Sequence, residues 1–218
     1  MSLKLENVKK SFWQAGQEIQ VLKGVNATIA MGEVVAIVGQ SGSGKSTLLS
    51  LLSGLDSPTS GAVIVNDQDL SLLSQDQLTL FRGKNIGIVF QQFHLMAHLN
   101  ALENVMLPLE ILGVDVPEKK AKSILQIMEL GHRLTHFPGQ MSGGECQRVA
   151  MARALAVEPA ILLADEPSGN LDVETGERVM NEFFRVVKKA NVTTVLVTHS
   201  EALAKKCDRQ LVLKNGTL

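Results

Sequence analysis

The stretch that decides the fold is Val34–Leu52, which reads VVAIVGQSGSGKSTLLSLL. Its first five residues are apolar and mostly β-branched, which is typical of a short strand buried on both faces. Its leucine-rich end predicts a packed helix. Between them, residues 39–46 match the whole phosphate-loop pattern G-x-x-x-x-G-K-[ST], in the strand–loop–helix setting that the pattern requires. The stretch therefore predicts an α/β fold that binds a nucleoside triphosphate.

The residue types of the loop suit that chemistry. Its glycines let the backbone curl so that successive N–H groups point at phosphate oxygens, and the helix N-terminus adds a partial positive charge. Lys45 supplies a point charge for the β- and γ-phosphates, and Ser46 offers a hydroxyl to Mg²⁺. The alternative, a flexible glycine turn with an incidental lysine, is disfavoured by the fixed spacing. The residues predicted to hold the nucleotide are Gly39, Gln40, Ser41, Gly42, Ser43, Gly44, Lys45, Ser46 and Thr47.

The composition limits the possible classes of protein. With 218 residues, 45% of them hydrophobic, the chain is globular and long enough for a sizeable core. A net charge of −1 and the lack of an extended basic run disfavour a nucleic-acid partner. Two cysteines cannot form a disulfide framework and suit a reducing compartment. No signal-peptide core or membrane-spanning run is visible, so we expect a soluble chain that contacts a membrane only through a partner.

The first 29 residues alternate loosely between apolar and polar types. This pattern predicts short antiparallel strands, with turns at Gly16 and Gly24. Phe12 and Trp13 also stand in this region. An aromatic ring here either stacks on a nucleotide base or fills a small core, and core filling is the commoner use of aromatic side chains.

Three later strands are predicted to end in polar residues. They are Ile86–Phe90 before Gln91, Ile161–Ala164 before Asp165 and Glu166, and Val192–Thr198 before His199. Ligands of open α/β sheets sit at the carboxyl ends of such strands. The first carboxylate would hold Mg²⁺ through water, and the second would align or deprotonate an attacking water. Each group has a structural alternative. Gln91 would be an ordinary polar strand exit, Asp165 and Glu166 would cap a helix, and His199 would be a structural histidine.

Residues 93–157 show helical periodicity and no clear strand, which predicts a helical insertion in the α/β core. Capping boxes at Ser74 and Asn100 predict two helix starts, and Pro117 predicts a third helix that stops at Gly131.

A fourth helix is predicted to begin after Ser142, because Ser142 and Glu145 form an S-x-x-E capping box. The cap alone explains these two residues. The capping box does not require glycine at positions 143 and 144. Gly143 and Gly144 would leave the backbone N–H groups accessible to an anion. The residues alone leave both interpretations open.

Together these motifs resemble the ATP-binding-cassette (ABC) ATPases over essentially the whole chain. They stand in the family's order and approximate spacing: Gly39–Ser46, Gln91, Ser142–Glu145, Asp165–Glu166, Ser168–Asp172 and His199. Gly54–Gly61, Asn100–Leu109 and Asp165–Asp172 further resemble the lipoprotein-releasing and macrolide-exporting branch. The resemblance implies an α/β P-loop NTPase fold with an antiparallel β subdomain and a helical subdomain. A single domain would span residues 1–218, with 1–91 and 158–218 as core and 92–157 as helical subdomain.

The resemblance also implies a role for each candidate residue. Phe12 matches the position that stacks on adenine, with Trp13 as the second choice, and Lys45 grips the phosphates of ATP. Gln91 is in addition the hinge between core and helical subdomain. The residues implied to bind magnesium, partly through water, are Ser46, Gln91 and Asp165. The residues implied to be catalytic are Glu166, His199 and Gln91. Among them Glu166 is the catalytic acid and His199 contacts the γ-phosphate.

A head-to-tail dimer is implied as well. In it the signature segment of one chain, Ser142–Glu145, closes over ATP held by the phosphate loop of the other, and the Asp172 loop communicates across the dimer. Two residues depart from the family's pattern: Met141 stands where leucine is usual, and Cys146 where glutamine is common. The first change conserves volume, and the second removes a polar side chain beside the signature.

The resemblance implies an ATPase that drives a separate integral membrane permease from the cytoplasmic face of the inner membrane. Phe93, Leu95, Met96 and Leu99 would either line the groove that receives the permease or fill the core. An ATPase of a cell-envelope or division complex, which signals through a permease-like partner, is the main alternative. A soluble ABC ATPase acting on DNA or ribosomes is disfavoured, because the chain has one phosphate loop, one signature and no sustained heptad run.

Overall fold

The computed structural model describes residues 3–218. The strands are β1 (Leu3–Gln14), β2 (Gln17–Ile29), β3 (Val34–Val38), β4 (Ser60–Val65), β5 (Gln68–Asp69), β6 (Ile86–Val89), β7 (Ile161–Asp165), β8 (Thr193–Val197) and β9 (Arg209–Val212). The helices are α1 (Lys45–Leu52), α2 (Gln75–Asn85), α3 (Ala101–Ile111), α4 (Pro117–Ile127), α5 (Gly143–Leu155), α6 (Val173–Lys189) and α7 (Glu201–Ala204). Single 3₁₀ turns lie at Leu70–Leu72 and Pro138–Gln140.

By their internal contacts the residues form two units, one of Met1–Arg82 with Asn191–Leu218 and one of Gly83–Ala190. The first unit begins with the expected antiparallel strands. β1 and β2 form a long hairpin, and β1 also pairs with β4, in a sheet of order β2-β1-β4-β5. The predicted turn at Gly16 is present, with a φ of +79°.

Gly24 is not a turn, so that prediction was wrong. It lies inside β2 at a φ of +100°, where the pairing of β1 with β2 shifts register between Leu5 and Lys9. A Cβ added at Gly24 would lie 2.8 Å from Asn7 Oδ1. The glycine therefore serves a β-bulge within a continuous strand, which a turn signal in the sequence does not distinguish from a chain reversal.

The parallel strands of the first unit carry the phosphate loop. β3 lies between β8 and β9, in register through Ile37 opposite Val197 and Leu211. Four of the five residues of β3 and all five of β8 are buried. As the apolar β-branched pattern predicted, these strands have no solvent-facing side, and their core continues into α1, whose Leu48, Leu49, Leu51 and Leu52 are buried.

The second unit pairs β6 with β7 in parallel and contains α3, α4, α5 and α6. Residues 93–157 hold helices and no strand, as expected. The Asn100 box is confirmed: the Asn100 side chain accepts from the Glu103 N–H, and Pro117 occupies the start of α4. Its end differs from the expected one, because Glu129 adopts a φ of +56° and α4 stops at Ile127, before Gly131.

None of the helices described between residues 3 and 218 combines the length and the apolar character that crossing a bilayer requires.

Candidate functional site

The phosphate loop begins directly after the buried strand β3 and ends at Gly44, the N-cap of α1. Gly44 has a φ of 102° and makes no side-chain cap, so the first-turn N–H groups of α1 lack the side-chain oxygen that usually satisfies one of them. Bare N–H groups at a helix start, together with its positive dipole end, favour an anion. This geometry supports the predicted phosphate site.

Two loop glycines are required by their surroundings. A Cβ at Gly39 would lie 2.3 Å from the backbone oxygen of Leu213, which no side chain permits. A Cβ at Gly44 would lie 3.0 Å from Leu22 Cδ2 on β2, and its positive φ disfavours any other residue. The loop is thus packed between the segment that follows β9 and the hairpin strand β2. Glycine is required at these positions because neighbouring segments lie close to the loop backbone, and not because the loop is flexible.

The Lys45 ammonium donates to the Gly39 oxygen at 2.9 Å and to the Gln40 oxygen at 3.0 Å. These bonds hold it against the loop, where a point charge serves phosphate oxygens. Loop residues 39–43 line one side of a cavity of about 320 Å³, and residues 212–215 line the other. The Ser43 hydroxyl is buried and has no hydrogen-bond partner among the described residues. A buried donor of this kind fits a polar ligand.

The two aromatic residues of the hairpin do not fill a core. Phe12 is 43% exposed and Trp13 is 76% exposed, so core filling, the commoner use expected from sequence, is wrong here. Lys10 Nζ lies 5.0 Å from the centre of the Phe12 ring. Phe12 pairs with Ile19 on β2, close in the chain to the part of β2 that packs on Gly44. The exposed Phe12 ring is available for stacking on a base.

His199 leaves the sheet at the same edge as the phosphate loop. Its predecessor Thr198 donates its N–H to the oxygen of Ile37 at 3.2 Å, which joins the exit of β8 to the exit of β3. His199 itself is exposed. The first unit therefore carries the loop, the hairpin aromatics and His199, and the loop and His199 follow neighbouring strands of its parallel sheet.

In the second unit, Gln91 and the two carboxylates follow neighbouring parallel strands, since Val89 lies opposite Ala164. The Gln91 amide also holds the loop after β7. Its Nε2 donates to Asn170 Oδ1 at 3.3 Å, and Asn170 Nδ2 donates back to the backbone oxygen of Gln91 at 3.1 Å. Gly169 leaves room for this pair, because a Cβ there would lie 2.7 Å from Gln91 Nε2. Sequence reasoning found Gln91 but not its partner.

Glu166 adopts a left-handed backbone, with a φ of +44°. For a residue with a side chain this conformation costs of order 1–3 kcal/mol, so the surrounding structure must hold it in place. It is fixed locally by the Gly169 N–H, which donates to the Glu166 oxygen at 2.9 Å. Asp165 ends the strand with an ordinary backbone, so the two adjacent carboxylates differ in backbone conformation.

The predicted capping box at the signature segment is present. The Ser142 hydroxyl accepts from the Glu145 N–H at 3.3 Å, and Glu145 Oε2 accepts from the Ser142 N–H at 2.8 Å. Glu145 Oε1 accepts from Arg133 Nε at 2.8 Å. The hydrogen bond from the Ser142 N–H has the largest effect on the pKa of Glu145, and together with Arg133 it lowers that pKa to about 2. Sequence reasoning missed Arg133, because it lies in the segment between α4 and α5 and no local pattern links it to Glu145.

The two signature glycines have different surroundings. Gly144 is buried, and a Cβ there would lie 2.5 Å from Thr175 Cγ2 at the start of α6. Packing alone therefore explains Gly144. Gly143 is exposed, and a Cβ there would meet Leu171 Cδ2 at 3.2 Å. The exposed end of α5 thus consists of Ser142 and Gly143, which is where a helix N-terminus can meet an anion.

Asp172 is the N-cap of α6, and its Oδ1 accepts from the Thr175 N–H at 3.0 Å. Hydrogen bonds from Thr175 lower the pKa of the Asp172 carboxyl. Cys146 is buried, its thiol donates to the Pro138 oxygen at 3.5 Å, and burial raises its pKa. Met141 is half-buried.

Comparison with known proteins gives a consistent answer. The family profile "ABC transporter" matches residues 22–169. The chain is 47% identical to the lipoprotein-releasing system ATP-binding protein LolD of Geobacter metallireducens, over 98% of this chain and 96% of that one. It is 45% identical to the uncharacterized ABC transporter ATP-binding protein YbbA of Escherichia coli, over 99% and 96%.

Solved structures with the same fold include two dimers of the ATP-binding cassette MJ0796. One, in a post-hydrolysis state bound to ADP and Pi, has a TM-score of 0.89 and 42% identity, and the match covers 99% of this chain and 96% of that one. The other, a dimeric structure of the same bacterial ABC transporter cassette, has a TM-score of 0.90 and 43% identity, with the same coverage. The expected α/β P-loop fold of cassette type is thereby confirmed.

Proposed function

The chain belongs to the ABC transporter ATP-binding family, and from that membership we propose that it is the ATP-hydrolysing subunit of a transporter of the lipoprotein-releasing or macrolide-exporting kind. The observation that carries the proposal is the phosphate loop, in which Lys45 and the uncapped start of α1 after Gly44 offer charge and N–H groups to a triphosphate. The 47% identity to a lipoprotein-releasing ATP-binding protein over nearly the whole chain supports the branch.

Nucleotide binding is assigned to the first unit. Phe12 stacks on adenine with its exposed face, the loop N–H groups bind the phosphates, and Lys45 bonds to the β- and γ-phosphate oxygens. In the first unit, Ser46 would hold Mg²⁺ with the phosphates and water. A hydroxyl is an oxygen donor that suits this ion. Bound there, Mg²⁺ would neutralise charge on the β- and γ-phosphates.

Hydrolysis asks the protein chiefly for alignment and charge stabilisation. Glu166, whose strained backbone distinguishes it from its neighbour, aligns the attacking water. His199, at the loop's edge of the sheet, holds the γ-phosphate. In this proposal Gln91, which bonds to the loop after β7 through Asn170, is the hinge that precedes the helical subdomain, residues 92–157.

A second copy completes the site in this proposal. The exposed start of α5, Ser142 and Gly143, offers its N–H groups to the triphosphate held by the partner copy. Leu171 lies next to Gly143, and Thr175 at the start of α6 lies next to Gly144, so the Asp172 loop adjoins the signature segment. The dimeric cassettes with 42% and 43% identity support a dimer of this kind.

The proposed membrane partner docks on the segment between β6 and α3. Arg153 fixes its start by donating to the Phe93 and His94 oxygens at 3.0 and 2.7 Å. Asn104, which is fully buried, bonds to both backbone groups of Met96 in the middle of the segment and to the backbone oxygens of Leu99 and Asn100 at its end. Met96 is 44% exposed on this rigid segment, while Phe93, Leu95 and Leu99 are half-buried. The chain is then peripheral on the cytoplasmic face of the inner membrane.

The Glu166→Gln variant tests the enzymatic part of the proposal. It is expected to bind ATP, lose turnover and accumulate an ATP-bound dimer, as measured by phosphate release and analytical ultracentrifugation. Turnover at the parent rate would refute the role of Glu166.

Purification from membranes tests the partner. Co-purification with an integral membrane protein, and release of a lipoprotein or export of a solute by the reconstituted complex, would support transport. An ATPase-active complex that moves neither would favour the signalling alternative, and co-purification with nucleic acid would contradict the proposal.

A further inference from the structure

A salt bridge from Arg133, a residue to which no role has been assigned so far, holds the first turn of α5. Arg133 Nε donates to Glu145 Oε1 at 2.8 Å, and Glu145 Oε2 accepts the Ser142 N–H at 2.8 Å. One oxygen of the carboxylate is therefore engaged by a cation, and the other by the backbone of the residue that begins the helix. The Glu145 side chain is 14% exposed, and that of Arg133 is 33% exposed.

Arg133 is itself held in place. Its Nη1 lies 3.1 Å from His136 Nε2, and the His136 N–H donates to the Arg133 oxygen at 2.9 Å. The His136 oxygen in turn accepts from the N–H of Ala101, the first residue of α3, at 2.9 Å. The guanidinium thus has a fixed position between α3 and the start of α5.

The bridge matters because of the charge it offsets. The start of α5 is suited to an anion by its N–H groups and its dipole, but Glu145 places a negative charge in the same turn. The pKa of about 2 means that Glu145 is ionised at neutral pH. A like charge beside a bound phosphate is unfavourable, and a cation fixed on the carboxylate cancels most of that repulsion.

We propose that Arg133 is a positioning residue for the dimer: it neutralises and orients Glu145, so that the Ser142–Gly143 end of α5 accepts the triphosphate bound by a second copy. The inference rests on the proposed function, since it takes phosphate to be the group that meets this helix start. Arg133 does not touch the nucleotide, and His136 acts only by orienting Arg133.

The test measures ATP-driven dimerisation of the full chain, in the Glu166→Gln background, by analytical ultracentrifugation. Arg133→Gln is expected to weaken dimerisation about tenfold, the scale of one lost charge-assisted interaction. Adding Glu145→Gln is expected to restore most of the loss, because glutamine keeps the capping box and needs no counter-charge. Arg133→Lys keeps the charge and is expected to stay within about threefold of the parent.

Lys122→Gln is the matched control. Lys122 forms an ion pair with Glu118 on α4 in the same unit, and its loss is expected to leave dimerisation unchanged. The proposal is overturned if Arg133→Gln dimerises like its parent, or if the double variant is as weak as Arg133→Gln alone, which a merely structural role predicts. Should Arg133→Gln fail to fold, Arg133→Lys is the test, and dimerisation weakened by more than about threefold overturns the proposal.

The Glu166→Gln parent distinguishes a failure of the proposed function from a failure of this inference. A Glu166→Gln chain that binds nucleotide but never dimerises with ATP overturns the proposed function and this inference with it. A parent that dimerises, with an Arg133→Gln variant that dimerises equally well, overturns this inference alone.

Discussion

Replacing Gly144 by alanine measures how tightly the signature helix packs on the helix that follows the Asp172 loop. The added Cβ would lie 2.5 Å from Thr175 Cγ2, whereas ordinary contacts between carbon atoms are about 3.5–4.0 Å. Thr175 cannot yield by simple rotation, because it is β-branched and hydrogen-bonded to Asp172 through both its N–H and its side chain. One of the two helices must shift.

The sign of the change in the free energy of unfolding shows whether the Gly144 site is obstructed. In a helix, alanine is more favourable than glycine by about 0.5–1 kcal/mol, so an unobstructed substitution would stabilise the protein. Overpacking a tight core site costs about 1–3 kcal/mol. A 2.5 Å approach places the overpacking cost in the upper part of that range, about 2–3 kcal/mol, so we expect Gly144→Ala to lower the free energy of unfolding by about 1–2.5 kcal/mol, the difference of the two contributions.

Urea unfolding followed by circular dichroism is a suitable assay. Thr175→Ser removes Cγ2 but keeps the hydroxyl that bonds to Asp172, so the double variant Gly144→Ala/Thr175→Ser is expected to recover most of the lost stability. Gly139→Ala is the control, because no atom lies within 4 Å of its added Cβ and it should change stability little. Additive losses in the double variant, or a Gly144→Ala protein as stable as the parent, would refute the packing argument.

Three further predictions concern the nucleotide and the signature. Lys45→Ala is expected to abolish ATP binding as well as turnover, as measured with a fluorescent ATP analogue; binding at the parent affinity would remove Lys45 from the site. Phe12→Ala is expected to weaken binding about tenfold through the lost stacking while Trp13→Ala has little effect, and the reverse order would make Trp13 the stacking residue. The folded pKa of Glu145, about 2, lies below its ordinary value of 4.5, so its stabilising effect is full above about pH 5 and is lost as pH falls towards 2. Glu145→Gln should therefore flatten the fall of stability over that window in acid unfolding, and an unchanged slope would contradict the assignment.

Features that depend on a few consecutive residues were predictable from the sequence. The strand, loop and helix of the phosphate loop follow from one pattern, and the capping boxes at Ser74, Asn100 and Ser142 all form because their partners lie three residues away. The parallel register of β6 and β7, which brings Gln91 beside the two carboxylates, followed from the rule that such strands end at one edge.

What escaped prediction depends on contacts between distant residues. The Arg133–Glu145 bridge and the Gln91–Asn170 pair join side chains that no periodicity relates. The need for glycine at position 144 comes from a methyl group on another helix. Gly24 was wrongly expected to turn the chain, because a bulge and a turn both require a positive φ and only the partner strand tells them apart.

The buried amide of Asn104 has a mechanical consequence. Its oxygen receives the Met96 N–H, and its nitrogen bonds to the oxygens of Met96, Leu99 and Asn100, so the preceding segment is fastened to α3 at several points. A force applied at Met96 is then carried straight into that helix, because the intervening chain has little freedom to deform. The amide protons of Met96 and Leu99, which are both hydrogen-bonded, should therefore exchange with solvent about as slowly as those of the helix itself.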